Sequence, residues 1–439
     1  MINVHYPTDI ITGGVTNILP QQFRDLELVA LAEEVKESEE DQVWNVGVGG
    51  SISYVPIAYK GRVYFGACDK NFYALDAETG EEAWRFPTNG PLVGGIGATL
   101  HDDVLYFTSF DHHLYALTLE GRLKWKFDSG DMASSHPAIA RNMIFFGNKR
   151  GELIALTTDG KEKWRFRAND STLSPMVFQG RIFVGSWDKN FYCLNVEDGK
   201  VVWKYPLADK VGDTARIHEG KVYFGCRDGN LYCLSALGKF LWKFSTPKPI
   251  MSIPFVHGNR VYFGSWDMNF YCLDTETGRE IWRFKTNHIN FSIPLIEHDT
   301  IYFTSVDHHL YALSLDGRLK WKFKANGPIP GNCAVSGGKV YFGSWSCLLY
   351  CLEAVTGKRL WTFRTSLSYP SPVNVKRPST MLTMGITIPQ EDSVERAQKY
   401  APQLLGEGTS QYIIKSDYIV EHKYTKSRKI KSMSSGWGD

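Results

Sequence analysis

The sequence has no run of about 18 apolar residues, so it predicts no membrane-spanning helix. The N-terminal stretch MINVHYPTDIITGGVTNILPQQF contains neither the basic nor the apolar region of a signal peptide. Charges nearly cancel, with 49 Lys and Arg against 47 Asp and Glu, so total charge gives no argument for binding nucleic acid or a membrane. We therefore expect a soluble cytoplasmic protein.

Recognisable catalytic and metal-binding motifs are also missing. There is no CxxC, CxxCH or GxSxG pattern, and the glycine clusters at 47–50 and 94–97 precede no predicted helix, which argues against a phosphate-binding loop. Four of the eight cysteines occupy one repeated position where four other copies have alanine, which predicts small buried side chains. The cysteines are Cys193, Cys233, Cys272 and Cys351, and the alanines are Ala74, Ala116, Ala155 and Ala312.

Tryptophan is abundant and evenly spaced. Nine tryptophans follow one another at intervals of 39 to 41 residues, and they are Trp44, Trp84, Trp125, Trp164, Trp203, Trp242, Trp282, Trp321 and Trp361. Each repeat contains four short alternating runs, illustrated by IPFVHG, RVYFGS, NFYCLD and EIWRF, which predict antiparallel strands A, B, C and D. The period matches a four-stranded propeller blade, so the sequence predicts an all-β propeller.

The number of blades has two interpretations. Eight complete repeats, ending at Trp84 through Trp361, predict an eight-bladed propeller. However, Trp44 lies in a further D-like strand before the first repeat, and SPVNV at 371–375 is a further A-like strand after the last. The alternative is nine blades, with the ninth formed by N-terminal and C-terminal strands together.

Two segments flank the propeller, which we place at residues 42–376. Residues 1–41 predict an arm followed by an acidic helix, with eight acidic and two basic residues between Arg24 and Asp41. Residues 377–439 predict a C-terminal extension with a helix, strands and a basic tail. We do not expect nucleic-acid binding, although contact of this tail with RNA or an acidic partner stays open.

The aligned repeat, xVYFGSxDxxxYALDxxTGxxxWxF, resembles that of quinoprotein-type (PQQ-like) β-propellers. This family includes pyrroloquinoline-quinone dehydrogenases and an outer-membrane assembly lipoprotein, and the resemblance covers about residues 42–376. It implies that the D-strand tryptophans dock against the neighbouring blade. The dehydrogenases have adjacent cysteines near the quinone and a calcium site, whereas this sequence has no adjacent cysteines. We therefore predict no cofactor. The docking set is Trp84, Trp125, Trp164, Trp203, Trp242, Trp282, Trp321 and Trp361.

Two DHH triplets, 111–113 and 307–309, combine residues suited to metal binding or acid–base chemistry. Both align with the B–C turns of other repeats, where aspartate accepts backbone hydrogen bonds. We therefore interpret them as turns and predict no metal or catalytic site.

A second set of aromatic residues stands immediately before the polar B–C turn of four repeats. These residues could form an apolar ring on one face of the propeller, and such a surface can anchor a partner protein. The alternative is that they pack between blades. The candidates are Trp187, Trp266, Trp345 and Phe110.

The prediction for function is a non-catalytic scaffold or adaptor that mediates protein–protein interaction in a multiprotein assembly. Its partners would contact one propeller face and the terminal segments. The alternative is a small-ligand sensor or quinone-dependent dehydrogenase-like enzyme with a site on the propeller axis, because the entries to strand A should line the axial channel.

Overall fold

The computed structural model describes residues 50–93, 97–290 and 292–365. These residues form 32 strands in eight four-stranded antiparallel sheets, and the described part contains no helix. Each sheet is a meander in which strands A, B, C and D pair in chain order. The alternating aromatic and β-branched residues of strands B and C suit this arrangement because both faces of each sheet pack against neighbouring blades.

The strands follow the chain blade by blade. Blade 1 contains β1 (Ile57–Tyr59), β2 (Arg62–Gly66), β3 (Asn71–Asp76) and β4 (Glu82–Pro87), and blade 2 contains β5 (Thr99–His101), β6 (Val104–Thr108), β7 (His113–Thr118) and β8 (Leu123–Asp128). Blade 3 contains β9 (Ala138–Ala140), β10 (Met143–Gly147), β11 (Glu152–Thr157) and β12 (Glu162–Arg167), and blade 4 contains β13 (Met176–Phe178), β14 (Arg181–Gly185), β15 (Asn190–Asn195) and β16 (Val201–Pro206).

The second half repeats the pattern. Blade 5 contains β17 (Arg216–His218), β18 (Lys221–Gly225), β19 (Asn230–Ser235) and β20 (Phe240–Ser245), and blade 6 contains β21 (Phe255–His257), β22 (Arg260–Gly264), β23 (Asn269–Asp274) and β24 (Glu280–Lys285). Blade 7 contains β25 (Leu295–Glu297), β26 (Thr300–Thr304), β27 (His309–Ser314) and β28 (Leu319–Lys324), and blade 8 contains β29 (Cys333–Ser336), β30 (Lys339–Gly343), β31 (Leu348–Glu353) and β32 (Arg359–Arg364).

The propeller closes directly from blade 8 to blade 1. Strand β1 contacts β29, and the backbone N–H of Ile52 donates a 3.1 Å hydrogen bond to the carbonyl of Ser344. The predicted eight-bladed propeller is therefore confirmed. The two additional strands of the nine-bladed alternative, around Trp44 and at 371–375, lie outside the described residues, and the direct contact of blades 8 and 1 leaves no gap for a ninth blade.

The core lies between the blades rather than within them. Phe270 of strand C in blade 6 stacks on Phe303 of strand B in blade 7, with ring centroids 4.1 Å apart, and both side chains are buried. The same stack joins blades 1 and 2 and blades 4 and 5. Full burial of one such side chain contributes about 1.5–3 kcal/mol, so the inter-blade contacts hold the ring together.

A β-bulge lies before the tryptophan of every D strand. In blade 6, Cys272 pairs with Trp282 but Leu273 pairs with Glu280, which leaves Ile281 as the extra residue. The same shift occurs in the other seven blades. The D strand is the outer edge of each blade, and a bulge there disrupts the regular edge that another strand needs for pairing.

Candidate functional site

The eight D-strand tryptophans join each blade to the next. Every indole N–H donates a hydrogen bond to a backbone carbonyl of the following blade, with N–O distances from 2.9 to 3.3 Å. The last of them, from Trp361 to the carbonyl of Ala77, joins blade 8 to blade 1. The tryptophans of the docking set therefore lie at the blade interfaces.

The glycine of the C–D turn supports this contact. Gly278 has a φ of +67°, and a Cβ atom at this position would lie 2.6 Å from the ring of Trp242 in the preceding blade. Glycine is required there both for the left-handed backbone and for the close approach of the indole. The sequence alone does not reveal this contact between the turn glycine and the tryptophan of the preceding blade.

Both DHH triplets form turns. Asp111 accepts the N–H of His113 at 3.2 Å and the hydroxyl of Tyr115 at 2.6 Å. Asp307 accepts the corresponding groups of His309 and Tyr311 at 3.1 and 2.7 Å. The predicted turn role of these residues is confirmed, because both carboxylates are used to close the B–C turn.

One face of the propeller, which we call the B–C face, consists of the B–C turns and the loops that lead from strand D to the next strand A. In every blade, one B–C turn residue donates its backbone N–H to a carbonyl of the adjacent loop, at 2.9 to 3.4 Å. This bond fixes one side-chain position in each blade. In chain order, these positions are Cys68, Phe110, Lys149, Trp187, Arg227, Trp266, Val306 and Trp345.

The four predicted partner-binding aromatics occupy this ring, but their exposure differs. Trp187 and Trp266 are half-buried and reach the surface. In contrast, Trp345 and Phe110 are only 6% and 9% exposed. The placement of the latter two matches the alternative that such residues pack between blades, so the prediction of partner contact now concentrates on Trp187 and Trp266.

Trp187 lies between two basic side chains. The Nζ atoms of Lys149 and Lys210 lie 4.5 and 4.7 Å from the centroid of its ring. Cations at this distance are attracted by the electron-rich face of an indole. The indole Nε1 is buried and has no hydrogen-bond acceptor in the described part of the chain.

Basic and tryptophan residues alternate over four consecutive blades of the B–C face. Lys149 of blade 3, Trp187 of blade 4, Arg227 of blade 5 and Trp266 of blade 6 occupy equivalent turn positions, and all four are half-buried. Sequence reasoning missed Lys149 and Arg227 because it considered only the aromatic members. Comparison of all eight repeats at this position would have found them.

The eight cysteines are all buried and free of disulfide bonds. Burial raises the pKa of Cys272 to about 12, so its thiol is uncharged at neutral pH. Within residues 50–93, 97–290 and 292–365, no three His, Cys, Asp or Glu side chains form a group that could hold a metal ion. Over the same residues, no helix is long and apolar enough to cross a membrane.

Comparison with known proteins identifies the repeat. A PQQ-type family model described as outer membrane protein assembly factor BamB matches residues 32–126, 73–177, 110–249 and 227–331. Together these matches span residues 32–331, which is more than half of the chain. The BamB protein of Burkholderia pseudomallei (strain K96243) is 26% identical over 105 residues, covering 24% of this chain and 27% of that protein. The aligned region is thus about a quarter of that relative's length.

Two solved structures share the fold. The computationally designed protein Ika8 matches with a TM-score of 0.61 and 13% identity over 69% of this chain and 96% of the designed chain. BamB from Moraxella catarrhalis matches with a TM-score of 0.59 and 15% identity over 68% of this chain and 93% of that one. The predicted resemblance is confirmed, and the chain belongs to the family of PQQ-type repeat propellers described as outer membrane protein assembly factor BamB.

Proposed function

We propose that this protein is a non-catalytic scaffold whose B–C face binds a partner protein within a multiprotein assembly. The observation that carries the proposal is the alternation of Lys149, Trp187, Arg227 and Trp266 over blades 3 to 6. Tryptophan and arginine are the residue types that most often supply the binding energy of a protein interface.

The backbone of this surface is held in place before a partner arrives. Trp266 donates its backbone N–H to the carbonyl of Pro249 at 3.0 Å, and Trp187 donates to Ser171 at 3.0 Å. The turn of blade 6 is closed further by Asp267, which accepts the N–H of Asn269 at 2.9 Å. A surface that needs little ordering loses less entropy on binding, which favours affinity.

The partner should present acidic residues beside apolar ones. The half-buried cations Lys149 and Arg227 flank the indole of Trp187 along the ring of turns, so acidic groups would meet opposite charge while an apolar group covers the indole. Complementary charge of this kind steers association and selects the partner. The name of the relatives, outer membrane protein assembly factor, describes a role in assembly and supports a scaffold function here.

Affinity capture from native extract tests the proposal with the variant Trp187→Ala/Trp266→Ala. We expect the wild-type chain to retain a specific protein and the double variant to retain at least tenfold less of it, since each hot-spot residue contributes about 2 kcal/mol or more. The matched control is Leu123→Ala/Leu319→Ala, which removes two side chains that are 45% and 46% exposed on outer strands.

The control variant should capture the partner as the wild type does. Equal capture by the Trp187→Ala/Trp266→Ala variant, with unchanged thermal stability, would show that the B–C face is not the binding surface.

We place the assembly in the cytoplasm, with the terminal segments as further contacts. Cell fractionation, and capture by a chain truncated to residues 42–376 in comparison with the full chain, test these two points.

A further inference from the structure

Arg216 begins the innermost strand of blade 5. Strand β17 pairs only with β18 within its sheet, and it contacts β13 and β21, the innermost strands of the two adjacent blades. Because the innermost strands meet around the propeller axis, Arg216 lies in the central part of the molecule. No part of the proposed protein-binding function uses this residue.

The side chain of Arg216 is buried, and within the part of the chain that the structure describes it has no counter-ion. The residue is only 6% exposed, and its buried Nε atom has no hydrogen-bond acceptor in residues 50–93, 97–290 and 292–365. Among the described residues, no ion pair or hydrogen bond reaches this side chain. Its one specific contact is with the ring of Phe255 in blade 6, whose centroid lies 5.1 Å from the guanidinium carbon.

The nearby charges do not neutralise Arg216. Asp213, three residues upstream, accepts hydrogen bonds from the backbone N–H and the hydroxyl of Thr214, and its carboxylate interacts electrostatically with Lys149. His218 is two residues further along β17, on the same face of the sheet. Burial lowers its pKa most, the neighbouring carboxylate of Glu219 opposes this shift, and the charge of Arg216 adds to it. Among the described residues, neither Asp213 nor Glu219 forms an ion pair with Arg216.

Packing does not explain an arginine at this place. The equivalent positions in the other seven blades, identified by their pairing with strand B, hold only uncharged residues, including Met176 of blade 4 and Phe255 of blade 6. Methionine at Met176 fills the same place between blades 4 and 5 with 3% exposure. The fold thus accommodates a neutral side chain of similar length.

A buried cation without a partner is costly, because desolvation of a charged group opposes folding by several kcal/mol. Burial lowers the pKa of Arg216 to about 10, so the side chain still carries its charge at neutral pH. A guanidinium presents several N–H donors in one plane, and this arrangement matches the oxygens of a carboxylate or phosphate. The contact with Phe255 restricts the orientation of that plane.

We propose that Arg216 binds a small oxyanion, a phosphate or a carboxylate, near the axis of the propeller between blades 5 and 6. The anion supplies the missing counter-charge, and His218 provides the next donor on the same face of β17. This site goes beyond the scaffold function, and its ligand is a small molecule or ion rather than the protein partner of the B–C face.

Calorimetric titration and thermal unfolding of the full-length chain test the site. The probes are sodium phosphate and sodium acetate, each compared with sodium chloride at equal ionic strength. We expect one or both oxyanions to bind the wild-type chain and raise its Tm with increasing concentration, whereas chloride does not. The stronger of the two probes distinguishes a phosphate site from a carboxylate site.

The variant Arg216→Met removes the charge and keeps the length of the side chain. We expect it to bind the oxyanion roughly tenfold to a hundredfold more weakly, the loss typical of a hydrogen bond to a charged group. Without added oxyanion, its Tm should exceed that of the wild type, because a buried unpaired charge has been removed. Arg181→Met, which replaces an exposed arginine of β14, is the matched control and should bind as the wild type does.

Two results would overturn the proposal. One is a wild-type chain that neither binds nor is stabilised by phosphate or acetate beyond the effect of chloride. The other is an Arg216→Met chain that binds as tightly as the wild type. If Arg216→Met does not fold, the wild-type titration alone still decides the first point, and Arg216→Gln decides the second. None of these measurements involves the protein partner, so failure here is separate from failure of the scaffold proposal.

Discussion

The propeller contains two sets of tryptophans that differ in position and surroundings. A docking tryptophan such as Trp321 is 1% exposed, and its indole N–H donates to the carbonyl of Ala354 in the next blade at 3.1 Å. Trp187, at the B–C turn of blade 4, is half-buried, lies between two lysine side chains, and has a buried Nε1 without an acceptor in the described residues.

This difference shows that the same side chain serves the fold in one place and is available for binding in the other. The docking set repeats in every blade because each blade needs the same contact with its neighbour. The turn set varies between Cys, Phe, Lys, Trp, Arg and Val because the backbone N–H, not the side chain, forms the bond that closes the turn. A position that the fold leaves variable can be selected for recognition.

The largest predicted effect separates the two sets by stability. We expect Trp321→Ala to lower the free energy of unfolding by about 3–5 kcal/mol, since it leaves a cavity between blades 7 and 8 and removes the indole hydrogen bond to the carbonyl of Ala354. Trp187→Ala should cost about 1 kcal/mol, mainly through its cation contacts. Urea unfolding followed by circular dichroism measures the free energy of unfolding of both variants. Equal losses would show that the two sets of tryptophans do not differ in their contribution to stability.

The variant Gly278→Ala tests the contact between a docking tryptophan, Trp242, and the turn glycine of the next blade. An alanine in the left-handed backbone conformation costs about 1–2 kcal/mol, and overpacking of its methyl group against Trp242 costs about 1–3 kcal/mol. We therefore expect the free energy of unfolding to fall by about 2–5 kcal/mol. Gly258→Ala is the matched control because its φ is +57° and no atom lies within 4 Å of the added group. If both variants lose the same amount in urea unfolding, the indole contact contributes nothing.

The region around Trp187 should also differ from the docking set in its response to pH. Burial raises the pKa of Asp213 to about 6, against the opposing effects of its hydrogen bonds to Thr214 and the charge of Lys149. The unfolded value is about 3.9, so the folded chain binds a proton more tightly and loses stability as the pH rises from about 4 to 6. Asp213→Asn should remove this loss, roughly 2–3 kcal/mol at pH 7.

Urea unfolding at pH 4.5 and pH 7 measures this effect. Trp321→Ala should keep the pH dependence of the wild type, because the docking contact involves no group that titrates in this range. An Asp213→Asn chain with unchanged pH dependence would show that the pKa of the Asp213 carboxylate is not raised in the folded chain.

The smallest effect concerns Met268, which follows Trp266 in the B–C turn of blade 6. Its φ of +71° is unfavourable for methionine, and the equivalent residues in blades 3 and 5 are Gly151 and Gly229. We expect Met268→Gly to raise the free energy of unfolding by about 0.5–1 kcal/mol. Since Met268 is 39% exposed beside Trp266, the same variant should weaken partner capture. Stabilisation without a change in capture would remove Met268 from the proposed interface.

Much of the fold was predictable because its signals are local. The period of the tryptophans, the alternation in strands B and C, and the aspartate of the B–C turns each act within about 40 residues, and the structure has the predicted strands and turns. The D-strand bulge was not predicted, since only pairing with strand C reveals that Ile281 is an extra residue. The site was predictable only in part, because Trp187 and Trp345 follow the same type of strand and differ in exposure.

The sequence by itself determined the repeat unit, the strand order in each blade and the positions of the two tryptophan sets, because these depend on periodicity and turn chemistry along the chain. Only the tertiary structure decided that eight blades close the ring, which of the turn aromatics reach the surface, and that Arg216 is buried with no counter-ion among the described residues. The physical reason is that closure, exposure and neutralisation depend on residues from different blades, which are distant in sequence and adjacent only in the folded ring.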